Sequence, residues 1–78
     1  MNDKMTLIQH AIEKYEREEE LVEKLKNILS EKDIQRNLDT LIGTQRVRRI
    51  GPEILQNNHS HTELPNLPER LKPLLEKI

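Results

Sequence analysis

The chain has no cysteine, no tryptophan and no phenylalanine, and its aromatic content is a single residue, Tyr15. Without cysteine no disulfide can brace the fold. Without large aromatic rings, the core has to come from Leu, Ile, Val and Met. Long apolar runs are also missing. None approaches the roughly 20 residues that span a bilayer, and the N-terminus has no hydrophobic signal core, so cytoplasmic residence is the expectation. Neither sign of charge prevails: 13 Lys and Arg face 14 Asp and Glu, for a net charge of −1. That excludes a global field drawing the chain to nucleic acid or anionic lipid.

What is present is a lean supply of aliphatic residues in 78 positions, 33% hydrophobic against 35% charged. At roughly 25 cal/mol per Å² of apolar burial, such a core barely offsets the entropy of ordering the chain. A second copy is the expected supplement, giving a homodimer. The charge is uneven along the chain. Residues 1–30 carry −2, residues 31–51 carry +2 and residues 52–78 carry −1.

Apolar positions at Met5, Ile8, Ile12, Tyr15, Leu21, Val22, Leu25, Ile28 and Leu29 recur at mostly three- and four-residue steps, which predicts one amphipathic helix over 4–29. Its stripe lapses into Glu16-Arg17-Glu18-Glu19-Glu20, read as a solvated stretch of helix. Ser30-Glu31-Lys32-Asp33 has the form of a capping box, opening a second helix over 31–50 with Ile34, Leu38, Leu41, Ile42, Val47 and Ile50 on one face. Gly51-Pro52 ends it. Gln56 to Thr62 is polar and aperiodic, so 56–63 reads as a loop. Residues 64–78 hold Pro65, Pro68 and Pro73 among leucines at 64, 67, 71 and 74, with a short helix from about Pro68.

Pairing the two long helices antiparallel, with residue numbers summing to about 62–63, sets Ile28 against Ile34, Leu25 against Leu38, Val22 against Leu41 and Leu21 against Ile42. It continues with Tyr15 against Val47, Ile12 against Ile50 and Ile8 against Ile54, and lays Glu13 to Glu20 beside Arg46, Arg48 and Arg49. The expected fold is therefore all-α. An antiparallel helical hairpin (about 4–29 and 31–50) with a short Pro-punctuated C-terminal helix dimerises into a bundle. Residues 1–55 form its core, 56–63 a polar loop and 64–78 an apolar segment. A nearly continuous helix over 4–50, pairing with a second copy, satisfies the same sums.

The titratable residues do not suggest catalysis. Ser30 reads as a cap and Ser60 as a loop residue, and glutamates on a solvated helix face lack the burial that tunes a general acid. His59 and His61, with His10, make too few ligands for a metal site, and no cofactor is expected. Asn58-His59-Ser60 matches the glycosylation sequon by chance. Arg46, Arg48 and Arg49 stand in a stretch without acids from Thr40 to Pro52 and suit phosphate contacts. On a helix, Arg46 and Arg49 share a face and Arg48 lies about 100° away; no aromatic ring accompanies them.

In the C-terminal segment, Leu67, Leu71, Leu74, Leu75 and Ile78 suit anchors for a partner's groove, or a strip that folds back onto the hairpin. The expected function is a non-enzymatic regulatory or adaptor protein that binds a larger protein. A DNA- or RNA-binding regulator using Arg46, Arg48 and Arg49, and a structural assembly scaffold, are the alternatives.

Overall fold

A computed structural model describes residues 2–60 and 63–78. Three helices come first: α1 (Asp3–Lys14), α2 (Glu18–Leu25) and α3 (Glu31–Gly43). Two antiparallel strands follow, β1 (Val47–Gly51) and β2 (Ile54–Asn57), then a 3₁₀ turn (Glu69–Leu71) running into α4 (Lys72–Glu76). The described residues are 55% helical and 13% strand, so the fold is mixed α and β and the all-α hairpin is overturned.

The first correction lies at the lapse in the apolar stripe. The helix expected over 4–29 breaks after Lys14, and Tyr15 and Arg17 take extended backbone. A continuous helix would stack Glu16 on Glu19 and Glu20, like charges at i+3 and i+4 that repel. The break instead puts Glu18, Glu19 and Glu20 in the first turn of α2, and Lys14 in the last turn of α1, the ends where the helix dipole favours each sign.

The second correction lies at the far end of α3. Ser30 does cap this helix, its Oγ accepting from the Asp33 N–H at 3.1 Å. The helix stops at Gly43, seven residues short of the expected end. Gln45 takes φ 63°, its N–H donates to the Ile42 carbonyl (3.1 Å), and the Arg46 N–H donates to the Leu41 carbonyl (2.9 Å). These are the two bonds of a Schellman stop with Gln45 in the left-handed position. Val47 to Gly51 is then free to run as a strand. It turns through Pro52 and Glu53 (φ 61°), the pattern of a type II turn, and returns as β2. Residues 56 and 57, expected in a loop, belong to that strand.

The expected helix register fails with these breaks. Lys4 Nζ reaches Asp33 Oδ2 at 2.8 Å and Asn2 Nδ2 reaches Asn37 Oδ1 at 3.2 Å, so α1 lies against the first half of α3. The summed register put residues near 58–60 opposite these positions. α2 and α3 do follow one another across the short turn at 26–30, and the core gathers between the helices and the inner face of the strands. Ile8, Ile12, Leu21, Leu25, Ile34, Leu38, Leu41, Val47 and Leu55 are buried in one cluster.

One copy reaches ordinary globular dimensions. Its accessible surface is 4934 Å², against about 5,000 Å² for a folded monomer of this mass. Its radius of gyration is 11.3 Å, against about 11.5 Å for a compact domain of this length. The thin aliphatic supply is gathered into one core cluster within the chain.

Two predictions follow from the α3 segment. A Cβ at Gly43 would meet nothing within 4 Å, and Gln45 holds a conformation that glycine adopts without strain. Gly43→Ala and Gln45→Gly should each stabilise the chain by about 0.5–1 kcal/mol in urea unfolding; loss of stability in either contradicts the helix stop described here. The Lys4 ammonium hydrogen-bonds the Asp33 carboxylate and holds it below the usual aspartate range, aided by Ser30 and by the charges of Lys4 and Arg36, against partial desolvation. A depressed carboxyl stabilises the fold above its unfolded pKa, and that contribution is lost as pH falls through the folded value. In an NMR titration, Lys4→Met should move the Asp33 midpoint up toward an ordinary aspartate; an unmoved midpoint contradicts the pairing.

Candidate functional site: the outer face of a three-stranded ribbon

The extended backbone around Arg17 adds an isolated antiparallel bridge to the edge of the two-stranded hairpin. The Leu55 N–H donates to the Glu16 carbonyl (2.9 Å) and the Glu18 N–H to the Glu53 carbonyl (2.7 Å), with Arg17 bridged to Ile54 between them. On the other side of β2, the Asn58 N–H donates to the Arg46 carbonyl (2.9 Å). The register pairs Val47 with Asn57, Arg48 with Gln56 and Arg49 with Leu55. Since directly paired residues share a face and faces alternate along each strand, the ribbon has two distinct sides.

Val47, Leu55 and Asn57 are buried on the inner side. Arg48, Gln56, Ile54 and Arg17 share the outer side, and Arg46, half-buried, stands at the bend just before β1. A bulge between Arg49 and Gly51 leaves Ile50 as the extra residue, pushed outward as bulged positions often are. Ile50 is 48% exposed, the one large apolar side chain in that condition among the described residues. Gly51 lies beside Ile54, so Ile50 and Ile54 form an aliphatic spot at the turn end of the ribbon.

This changes how the arginines group. Arg46 and Arg48 are two residues apart, about 7 Å along an extended chain, and Arg49 turns to the other side of β1 from Arg48. Arg49 pairs there with Glu18, so the acidic run and the arginine stretch do meet, across strands rather than helices. Arg17, Arg46 and Arg48 have no ion-pair partner among the described residues. Arg17 was not singled out from the sequence, because a helix over 4–29 buries its relation to the later arginines; only the lapse in the apolar stripe pointed to it. Glu18, Glu19, Glu23 and Glu53 gather instead around a shallow cleft of about 400 Å³ beside α2.

The tail residues are placed differently from the arginines. Leu71 is 5% exposed. Leu75 and Ile78 pack on the core cluster, and Leu67 and Leu74 are half-buried. The segment is fastened along α1: His10 Nε2 donates to the Pro65 carbonyl (2.7 Å), Arg70 pairs with Asp3 (2.7 Å) and Lys14 Nζ donates to the Ile78 carbonyl (3.1 Å). A dimple of about 200 Å³ remains between Lys14, Leu67, Lys72, Leu75 and Glu76.

The histidines do not converge. His10 is held by Pro65, His59 Nε2 lies 3.6 Å from Glu13 Oε2, and His61 falls outside the described residues. Among the described residues no three His, Cys, Asp or Glu are grouped to hold a metal. The Ser60 hydroxyl donates to Asn58 Oδ1 (2.9 Å), and Ser30 caps α3. Glu13 lies in a cleft of about 160 Å³ with Ile12, Glu16, Leu55, Gln56 and His59. Its carboxylate accepts from Asn57 Nδ2 (2.9 Å), which also donates to the Gln9 carbonyl (2.8 Å). These buried amides pin β2 to α1, a structural use for residues that read as loop.

No protein-family model, curated protein or solved structure matches the chain. No helix among the described residues is long and apolar enough to cross a membrane.

The burial of Leu71 yields a direct check. Leu71→Ala should cost about 2–4 kcal/mol of unfolding free energy, as deletion of a buried leucine does. An unchanged urea midpoint would mean that the C-terminal segment stands free of the body.

Proposed function

We propose that this protein is a non-enzymatic regulatory or adaptor module that binds a larger protein on the outer face of its ribbon. The observation that carries the reading is Ile50, half exposed on a bulge, on the strand that carries Arg48, which has no ion-pair partner among the described residues. Arg49, on the other side of the same ribbon, is matched with Glu18, and Lys4, Arg70 and Lys72 are matched with carboxylates elsewhere, while Lys24, Lys32, Arg36 and Lys77 show no such bridge among the described residues. An exposed aliphatic centre rimmed by arginine is the composition that protein interfaces favour, where a few anchors carry most of the affinity. The C-terminal leucines are a weaker basis for docking, since Leu71 is buried and Leu75 and Ile78 already contact the core.

The test is partner capture, compared across surface variants. Ile50→Ser and Arg48→Ser remove exposed groups, so the unfolding free energy should stay within about 0.5 kcal/mol. Each should weaken partner capture by at least about tenfold, in line with loss of an interface anchor. Leu67→Ser should leave capture intact. The opposite pattern, with Leu67 required and Ile50 dispensable, overturns the assignment.

A further inference from the structure

We infer that the segment docked on this ribbon is an extended acidic peptide carrying one aliphatic anchor, with carboxylates at alternate positions. The inference rests on the reading that the ribbon is the docking face, and concerns what chemistry it selects. The charged side chains that the strand register places on that face, Arg17 and Arg48, are both cations. Arg48 stands on the outer side of β1 with Ile50 following, Arg46 precedes it by two residues at the bend before the strand, and Arg17 lies across β2 beside Ile54. An extended peptide repeats its side chains on one face every two residues, about 7 Å apart. Two carboxylates separated by one residue therefore match Arg46 and Arg48 in spacing. An aliphatic side chain two residues further on falls over Ile50 and Ile54. The complementary pattern is acid–x–acid–x–aliphatic, or its reverse for the opposite chain direction.

Other occupants fit less well. A second copy stacked face to face would set arginine against arginine, a destabilising arrangement across strands. Single-stranded nucleic acid uses aromatic platforms for its bases. The one aromatic ring, Tyr15, is half-buried between Lys14 and Lys24, 5.8 and 5.6 Å from its centre. Glu19, Glu23 and Glu53 border the ribbon at its turn end, a negative margin that shortens any polyanion's footprint. A short acidic segment ends before that margin.

The full-length chain would be panned against a random peptide display library, and selected peptides measured by fluorescence anisotropy. Enriched sequences are expected to carry two Asp or Glu at alternate positions with a nearby Leu, Ile or Val. Arg48→Ser and Ile50→Ser are each expected to weaken a selected peptide at least about tenfold, with circular dichroism unchanged and affinity falling as salt rises. Peptides without acidic enrichment that still require Ile50 would overturn the acidic specificity and leave the ribbon as the dock. Peptides insensitive to both substitutions, or no enrichment at all, would overturn both. Three further arms use a labelled single-stranded 20-mer of DNA or RNA, phosphatidylserine vesicles and sedimentation of the protein alone. Arg48-dependent binding to the first or second tighter than to any peptide, or a dimer dissolved by Ile50→Ser, assigns the face to that occupant and overturns the proposal.

Discussion

The arrangement depends on a short stretch of backbone leaving helical geometry so that it can pair with β2. Residues 16–18 give up helical hydrogen bonds and receive two strand bonds, to Leu55 and Glu53. The exchange is nearly even in hydrogen bonds, so the balance is set by side chains. Glutamates that repel in mid-helix move to a helix N-terminus, where the dipole favours them, and Leu21 and Leu25 rotate into the common core. Because α1 and α2 are separate, α1 can cross onto α3 and still offer its flank to β2 and to the C-terminal segment.

The same pairing creates the surface that we regard as functional. Bridging the hairpin's edge at Arg17 brings that residue from the N-terminal third onto the face that carries Arg48 from the middle. The inner side of the ribbon is covered by Val47, Leu55 and Asn57 against the helices. The bulge gives up one regular ladder position and in return presents Ile50 to solvent. Function and fold thus draw on one constraint: the side that must be apolar is buried, and alternation along the strand leaves its opposite side cationic.

Much of the helical framework was legible in the sequence. Ser30 marked the start of α3 and the leucine and isoleucine spacing marked its buried side, whereas Pro52, expected to end that helix, sits in the turn between β1 and β2. The strands were not legible because Val47 and Ile50 are three residues apart, a spacing that continues a helix as readily as it joins two positions of a bulged strand. The residue that ends α3 is Gln45 rather than glycine, so the left-handed stop carried no compositional signal, while Gly43 sat two residues early and read as a mere weak point. The arginine stretch stood out for the right reason, an absence of neighbouring acids, yet its faces were misassigned because a period of 3.6 groups Arg46 with Arg49 and a period of 2 groups it with Arg48. Asn57 and Asn58 read as loop residues since nothing local reveals that Gln9 and Glu13 wait across the core to bond Asn57.

The pairing of Arg17 with Ile54 is the claim on which both the broken helix and the cationic face stand. Two flanking hydrogen bonds make it a non-hydrogen-bonded antiparallel pair, which brings the Cα atoms to about 4.5 Å and their α-protons into close contact. A two-dimensional NOE spectrum of the unmodified chain should show a strong α-proton cross-peak between Arg17 and Ile54. Helical amide-to-amide connectivities running unbroken from Lys14 through Glu20, with no such cross-peak, would contradict it.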